Sequence, residues 1–388
     1  MKVLIVTETF LPSTDGIVTR LCKAIEYMLS VGHTVKVIAP DLGITSYKGA
    51  EVIGVKSFKL PLYRFRKWSL PSKIVGEVID DFMPDVIHAV NPTLLATSGV
   101  YYAKQRNISL VCSYHTHLPK YLSHYHLDNR LTRKGLWNFI RYQHRDANVN
   151  LCTSEAMYEV LSSQSINNLS VLRRGVDLEE RHPRYKSETM RNTLTQNKPD
   201  KKLLVFIGRL APEKEIHKLK PLMEARDDIA LAIIGDGPAK DSLCTIFEGT
   251  HTLFTGFMHG EQLSKAFASA DAFIFPSVSE TLGLVILEGM ASGLPVIAAE
   301  SGPTCEQIEH LKTGIIYDGN DLDSLIKAVS YLDDDDVMKC LKQNARKEAM
   351  RYSWENASLE LIQYYERAIE NQYLSNLIYK IKRDLCHR

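Results

Sequence analysis

Short runs of β-branched and aliphatic residues alternate along the chain with stretches whose apolar residues recur at helical spacing. Residues 2–7, 34–39, 51–55, 85–89 and 109–114 carry the strand pattern, and residues 17–30, 72–82 and 93–106 the helical one. Strands such as the one containing Leu110, Val111 and Cys112 are apolar on both faces. That predicts a parallel sheet covered by helices on both sides, the doubly wound α/β class. A polar, charge-dense stretch from Glu179 to Lys202 breaks the rhythm and reads as a linker with one short helix. The pattern restarts at Leu203–Gly208, with further strands expected near 229–234, 252–255, 272–275, 294–298 and 313–317. The second half thus repeats the architecture of the first. Two such halves facing each other would set the carboxyl ends of both sheets around one cleft, the usual ligand position in this class.

From Ser353 onward the pattern is helical. Leu361, Tyr364, Tyr365 and Ile369 suit a helix packed on the body, and Leu374, Leu377, Ile378 and Ile381 extend the stripe beside Lys380, Lys382, Arg383 and Arg388. A basic amphipathic terminus of this kind suits an anionic membrane surface, with a packed or solvated terminal helix as the competing reading. The expected division is residues 1–180, 181–350 and a helical 351–388.

With 388 residues, 45% hydrophobic and 24% charged, the chain has room for two full cores. Its 47 basic and 46 acidic side chains leave a formal net charge of +1, so no global field draws nucleic acid and any anion site must be local. Cys22, Cys112, Cys152, Cys244, Cys305, Cys340 and Cys386 are scattered and form no C-x-x-C pair, which argues against a disulfide framework and a thiolate zinc site. A reducing cytoplasm is the expected setting. The N-terminus runs straight into a strand pattern and lacks the features of a secretory signal, and no apolar run is long enough to span a bilayer.

Candidate chemistry concentrates at the ends of expected strands. Glu280 lies in a polar turn, and Glu288 stands eight residues on among Val285, Ile286, Leu287 and Met290. A carboxylate in so apolar a helix needs a partner, and a hydroxyl-rich ligand such as a sugar would supply one. The competing reading makes Glu280 a partner of the helix dipole and Glu288 an exposed position on an amphipathic helix. Arg209 and Lys214 occupy one post-strand loop, where a planar fork and a point charge can converge on a diphosphate; two surface cations are the alternative. Gly235 and Gly237 follow the next strand and let backbone approach a ligand. Gly16 opens the first helix after a loop that lacks G-x-G-x-x-G, which counts against a dinucleotide oxidoreductase. Its alternative is a simple turn. His115, His117 and Lys120 close the fifth strand of the first half; a structural histidine competes with a functional one there. A zinc site would need a third ligand, and none stands at suitable spacing, so no metal is expected.

Together these residues resemble the retaining glycosyltransferases of family 4, over nearly the whole chain. That resemblance implies the GT-B fold: two Rossmann-like domains, a nucleotide-sugar held in the second, and a last helix crossing back to the first. Ser113–Tyr121, Asn150–Ser154, Arg174–Asp177, Glu280–Leu284 and Ser301–Thr304 are similar to the branch of the family that moves sulfoquinovose from UDP-sulfoquinovose to diacylglycerol. Carried over, the resemblance implies that Glu288 binds ribose hydroxyls and Glu280 a hydroxyl of the donor sugar. Arg209 and Lys214 would hold the diphosphate, and Gly16 with the backbone of Thr281, Leu282, Gly283 and Leu284 would lie near phosphate and sugar. His115 matches the histidine near the reacting sugar and its C6 substituent. A sulfonate at C6 demands a nearby cation, for which Lys120 is the candidate. The implied reaction uses no cofactor and no metal, the UDP-sugar being a substrate. Residues 63–68, rich in aromatics and cations, are expected as an interfacial anchor, and Leu122–Leu127 as the lining of a lipid path. Another lipid glycosyltransferase using UDP-glucose or a GDP-sugar, and an inactive nucleotide-sugar-binding protein, are the rival readings.

Overall fold

A computed structural model describes residues 1–13, 15–60, 63–119, 129–278 and 283–386. The chain forms two compact units, Met1–Arg173 with Trp354–Arg388, and Arg174–Ser353.

The first unit contains an eight-stranded sheet, whose strands are β1 (Lys2–Thr7), β2 (Thr34–Pro40), β3 (Ser46–Tyr47), β4 (Ala50–Val55), β7 (Val86–Val90), β8 (Ser109–Tyr114), β9 (Val149–Cys152) and β10 (Leu169–Val171), and a separate hairpin, β5 (Ser57–Leu60) with β6 (Tyr63–Ser69). The sheet order is β10-β9-β8-β7-β1-β2-β4-β3, parallel except for β3 against β4. Alternation along β1 divides the core. Val3 and Ile5 pack with helix Gly16–Ser30 and with Leu361 and Tyr365 of the C-terminal helix Trp354–Cys386. Leu4 and Val6 pack on the other face with Val75, Ile79, Leu95 and Val100. Both faces of β1 are therefore apolar, as the sequence pattern requires of a covered parallel strand.

The second unit contains β11 (Lys202–Ile207), β12 (Ile229–Ile234), β13 (Thr252–Gly256), β14 (Ala272–Phe275), β15 (Val296–Ala299) and β16 (Gly314–Tyr317), all parallel, in the order β13-β12-β11-β14-β15-β16. Leu204 and Phe206 enter one core layer and Leu203, Val205 and Ile207 the other.

In each sheet the order reverses next to the first strand, between β1 and β7 and between β11 and β14. Loops leaving neighbouring strands diverge at such a switch point and open a crevice at the carboxyl edge. The loop after β1 leads to Gly16 at the start of its helix, the loop after β11 carries Arg209, and the loop after β8 carries His115.

β9 and β10 have four and three residues, too few to show a period. Residues 63–68, expected as an interfacial anchor, belong to strand β6 of the hairpin, in which Phe58 pairs with Trp68. Lys120 and Leu122–Leu127 lie outside the described residues, as do Glu280, Thr281 and Leu282. In the C-terminal helix Leu361 and Tyr365 are buried in the first unit, whereas Leu374, Leu377, Ile378 and Ile381 are exposed by 42 to 53%.

Candidate functional site

In the second unit, the loop after β11 lies along the loop after β12. Gly208 N donates to Ile234 O at 3.0 Å, Leu210 N to Asp236 O at 2.9 Å, and Ala239 N to Leu210 O at 2.9 Å. Close contact of two backbones explains both glycines. A Cβ on Gly235 would collide with Gly208 O and one on Gly237 with Leu210 O, and their φ values of +143° and +156° disfavour L side chains. The first reason for these glycines is therefore loop-on-loop packing, which holds the Arg209 loop in place.

Arg209 pairs with Glu213, a carboxylate only 1% exposed on the short 3₁₀ turn Pro212–Lys214. Ser277, beyond β14, donates its hydroxyl to Glu213 O at 3.0 Å. Glu215 extends the tie: its Oε2 accepts from Val278 N at 3.1 Å. The loops flanking the switch point are thus fastened together, and the segment that leads to Glu280 starts from a fixed position. Lys214 stands with Nζ 5.6 Å from the centre of the Phe275 ring. A cation over an aromatic face is attracted by the ring while its stem is packed. Glu213 is one residue that sequence reasoning missed; a carboxylate four residues after Arg209 was its only signal.

Glu288 sits on helix Leu284–Ala291, which Gly283 opens at φ 63° in the left-handed region. It has a protein partner that the sequence reading did not supply. Arg181 Nε stands 3.3 Å from Glu288 Oε1, with the arginine side chain 8% and the glutamate side chain 29% exposed. Arg181 also donates to Ser264 Oγ at 3.1 Å and lies over the Phe267 ring. A ligand is therefore not required to explain the half-buried charge, for which the sequence reading favoured a hydroxyl-rich partner. Arg181 lies in the polar stretch that reads as a linker, where nothing marks one arginine among several. The apolar surroundings raise the Glu288 pKa above the ordinary carboxylate value, with Arg181 pulling it down. Arg174 of the same unit pairs with Glu306 at 3.0 Å, and Asp177 Oδ1 accepts from the backbone of Glu179 and Glu180.

In the first unit, Gly16 is exposed at the start of its helix. The preceding Asp15 caps that helix, its Oδ1 accepting from Ile17 N at 3.0 Å and Val18 N at 3.1 Å. These amides are satisfied from within the chain, which narrows what the helix start offers an anion to the Gly16 backbone itself. His115 is 5% exposed. Its backbone N–H, and that of Thr116, donate to Asn91 Oδ1 at 2.8 and 3.1 Å. Asn91, on the turn after β7, has φ +63° and was not foreseen as a site residue. His115 Nε2 and Ser113 Oγ are 2.9 Å apart. Burial, then the positive charge of Arg20, then His88 hold the His115 pKa well below the ordinary histidine value, so its ring is neutral. His117 Nδ1 meets the buried Tyr114 hydroxyl at 2.9 Å. Among the described residues no group of three or more His, Cys, Asp or Glu side chains could hold a metal, and no helix is long and apolar enough to cross a membrane.

Two doubly wound parallel sheets in one chain, each with polar loops at its switch point and the last helix packed in the first unit, define the GT-B class of glycosyltransferases. The family models narrow this. Residues 14–180 match Glycosyltransferase Family 4 and residues 189–348 match Glycosyl transferases group 1. The chain belongs to glycosyltransferase family 4 and is a glycosyltransferase. It is 36% identical to the sulfoquinovosyl transferase SQD2 of Arabidopsis thaliana, over 89% of this chain and 69% of that protein. It is 31% identical to a GDP-mannose-dependent alpha-mannosyltransferase of Mycolicibacterium smegmatis, over 96% of this chain and 99% of that one. An alpha-monoglucosyldiacylglycerol synthase of Streptococcus pneumoniae is 26% identical over 77% of this chain and 71% of its own length. Among solved structures, sucrose-phosphate synthase from Thermosynechococcus elongatus superposes with a TM-score of 0.79 at 19% identity, covering 94% of this chain and 98% of the other.

Proposed function

We propose that this glycosyltransferase moves sulfoquinovose from UDP-sulfoquinovose to diacylglycerol with retention of configuration. The observation that carries the reading is the Arg209 guanidinium held by the buried Glu213 at the carboxyl end of β11, with Lys214 on the same turn. Departure of UDP places negative charge on a phosphate oxygen, and fixed cations stabilise that charge more in the transition state than in the ground state. Lys214 and Arg209 fill this role in the proposal, with no divalent ion. Loss of activity to a chelator, restored by a divalent metal, would contradict that part.

Glu288 accepts the ribose hydroxyls in this reading, and its Arg181 partner opposes the rise in pKa that burial causes. Glu280 takes a hydroxyl of the donor sugar, Lys120 the sulfonate, and the backbone of Thr281–Leu284 and Gly16 the phosphate and sugar. The leaving phosphate accepts the acceptor's proton while attack occurs on the face it vacates, so the α-configuration survives without a carboxylate nucleophile. A covalent sugar adduct found on a carboxylate by mass spectrometry would overturn this route. Replacing Glu288 with Gln should raise the donor KM roughly tenfold or more, the loss of a charge-assisted hydrogen bond, with a smaller effect on kcat. Unchanged KM in steady-state kinetics would remove Glu288 from the donor site.

Sulfoquinovose is chosen from the similarity to SQD2, and the lipid acceptor from the diacylglycerol synthase relative and from the C-terminal helix. The exposed Leu374, Leu377, Ile378 and Ile381 recur at helical spacing beside Lys380 and Arg383, which suits peripheral attachment to an anionic membrane from the cytoplasmic side. The mannosyltransferase similarity favours a second reading, a GDP-sugar donor. One experiment separates them: the full chain with diacylglycerol vesicles, with and without anionic lipid, and with UDP-sulfoquinovose, UDP-glucose or GDP-mannose. The expected result is sulfoquinovosyl diacylglycerol from the first donor and flotation only with anionic vesicles. A mannolipid or glucolipid as the main product would replace the donor assignment.

A further inference from the structure

Four polar side chains in the first unit form a line from the C-terminal helix to the end of β8. Tyr365 Oη lies 2.8 Å from His88 Nδ1, His88 Nε2 lies 2.8 Å from Ser113 Oγ, and Ser113 Oγ lies 2.9 Å from His115 Nε2. Their exposures are 0, 2, 0 and 5%. The topology makes the line. His88 on β7 faces Val111 on β8, and Ser113, two residues on, projects from the same face of the sheet. Tyr365 arrives there because helix Trp354–Cys386 packs across β7, β8 and β9.

Proton accounting gives the line a direction. A buried hydroxyl hydrogen costs free energy unless it finds an acceptor, and the acceptor available to Tyr365 is His88 Nδ1. Burial raises the Tyr365 pKa, so the phenol keeps its proton. Burial, assisted by the Arg20 charge, pushes His88 down to about 3, so its ring is neutral and has a single N–H. With Nδ1 accepting, that N–H is on Nε2 and donates to Ser113 Oγ. The serine hydroxyl then turns its own hydrogen to His115 Nε2. His115, itself neutral, must carry its proton on Nδ1.

We propose that Tyr365, through His88 and Ser113, fixes His115 as the neutral Nδ1–H tautomer, so that His115 meets the donor sugar as a hydrogen-bond donor and not as a base. Tyr365, His88 and Ser113 are positioning residues. A tyrosine on the returning helix thereby sets the hydrogen-bonding sense of a ring at the end of β8. The donor-sugar part rests on the proposed function; the tautomer does not. A Nδ1–H suits a ligand oxygen that carries lone pairs, such as a sulfonate or hydroxyl oxygen of the sugar.

The test is ¹⁵N NMR of the full-length protein labelled on its 13 histidines, with His115 assigned by its loss in His115→Gln. The expected spectrum shows a neutral His115 protonated at Nδ1. Tyr365→Phe and Ser113→Ala each remove a link, and both are expected to yield mixed His115 tautomers. Turnover should fall roughly tenfold with little change in donor KM, the pattern of a lost transition-state hydrogen bond. A wild-type His115 protonated at Nε2, or a cationic ring at neutral pH, would overturn the proposal even if both variants failed to fold. So would an unchanged tautomer in folded variants. A changed tautomer with wild-type turnover would reject the positioning role while leaving the donor assignment intact. Absence of turnover with every nucleotide-sugar, alongside the expected tautomer, would reject the proposed function alone.

Discussion

Lys214→Ala is expected to lower turnover of the nucleotide-sugar by roughly 10²–10³-fold while leaving the thermal unfolding midpoint almost unchanged. The reason is where the charge sits. Lys214 is on a 3₁₀ turn at the carboxyl end of β11, its ammonium over the Phe275 ring, and removing it takes away charge with little packing. Arg209→Ala is expected to lose turnover on a similar scale, but with a second effect. It strips the partner from Glu213, a carboxylate 1% exposed, and an uncompensated buried charge costs about 3–5 kcal/mol. The Arg209→Ala, Glu213→Gln double variant should therefore recover stability without recovering turnover. Initial rates with saturating donor, together with thermal melts of all three variants, separate the two effects. Lys214→Ala within threefold of wild type would sink the assignment of these cations to the leaving diphosphate.

The second large effect is acid lability of the first unit. Burial, with the Arg20 charge, pushes His88 down to about 3, and burial pushes His144 down to about 4 against the opposing hydrogen bond to Asn150. Both are neutral in the folded chain, whereas unfolded histidine titrates near about 6.5. A folded-state pKa below the unfolded one means that the unfolded state binds more protons as pH falls. The contribution to stability is complete above about pH 6.5 and drains away down to the folded values, so stability rises with pH through that window. At pH 5 each of the two is expected to cost about 2 kcal/mol relative to neutral pH. Urea unfolding at pH 7.5 and pH 5, followed by a probe in the first unit, measures the difference. His144→Gln should be less stable than wild type at pH 7.5 and lose about 2 kcal/mol less on acidification. Carboxylates whose pKa the fold lowers, such as Asp146 beside Lys104, lose their contribution mainly below pH 5, outside the measured span. Equal stability of the wild type at both pH values would show that these rings are not buried neutral.

The same contrast between local pattern and spatial partnership runs through the whole chain. Strands β1, β8, β11, β12 and β14 were legible because each is a run of apolar residues long enough to read as a covered parallel strand, as in Ile229–Ile234. The placement of Arg209, Lys214, Gly235 and Gly237 on post-strand loops followed from the same reading. So did the helical tail, down to the burial of Leu361 and Tyr365. Residues whose character is set by their own neighbours in sequence announce themselves.

What the sequence by itself determined, then, is the repeated βαβ rhythm, the two units and the family motifs, because hydrophobic periodicity and turn chemistry are local properties. What only the tertiary structure decided is who pairs with whom. Arg181 reaches Glu288 across 107 positions, Tyr365 reaches His88 across 277, and Asn91 holds the backbone of His115 from the neighbouring strand's loop. Glu213, though only four residues from Arg209, becomes its partner because a 3₁₀ turn bends the chain back. Such pairings depend on strand order and on the path of the returning helix. No periodicity along one segment encodes the distance between side chains that meet only after the sheet has formed.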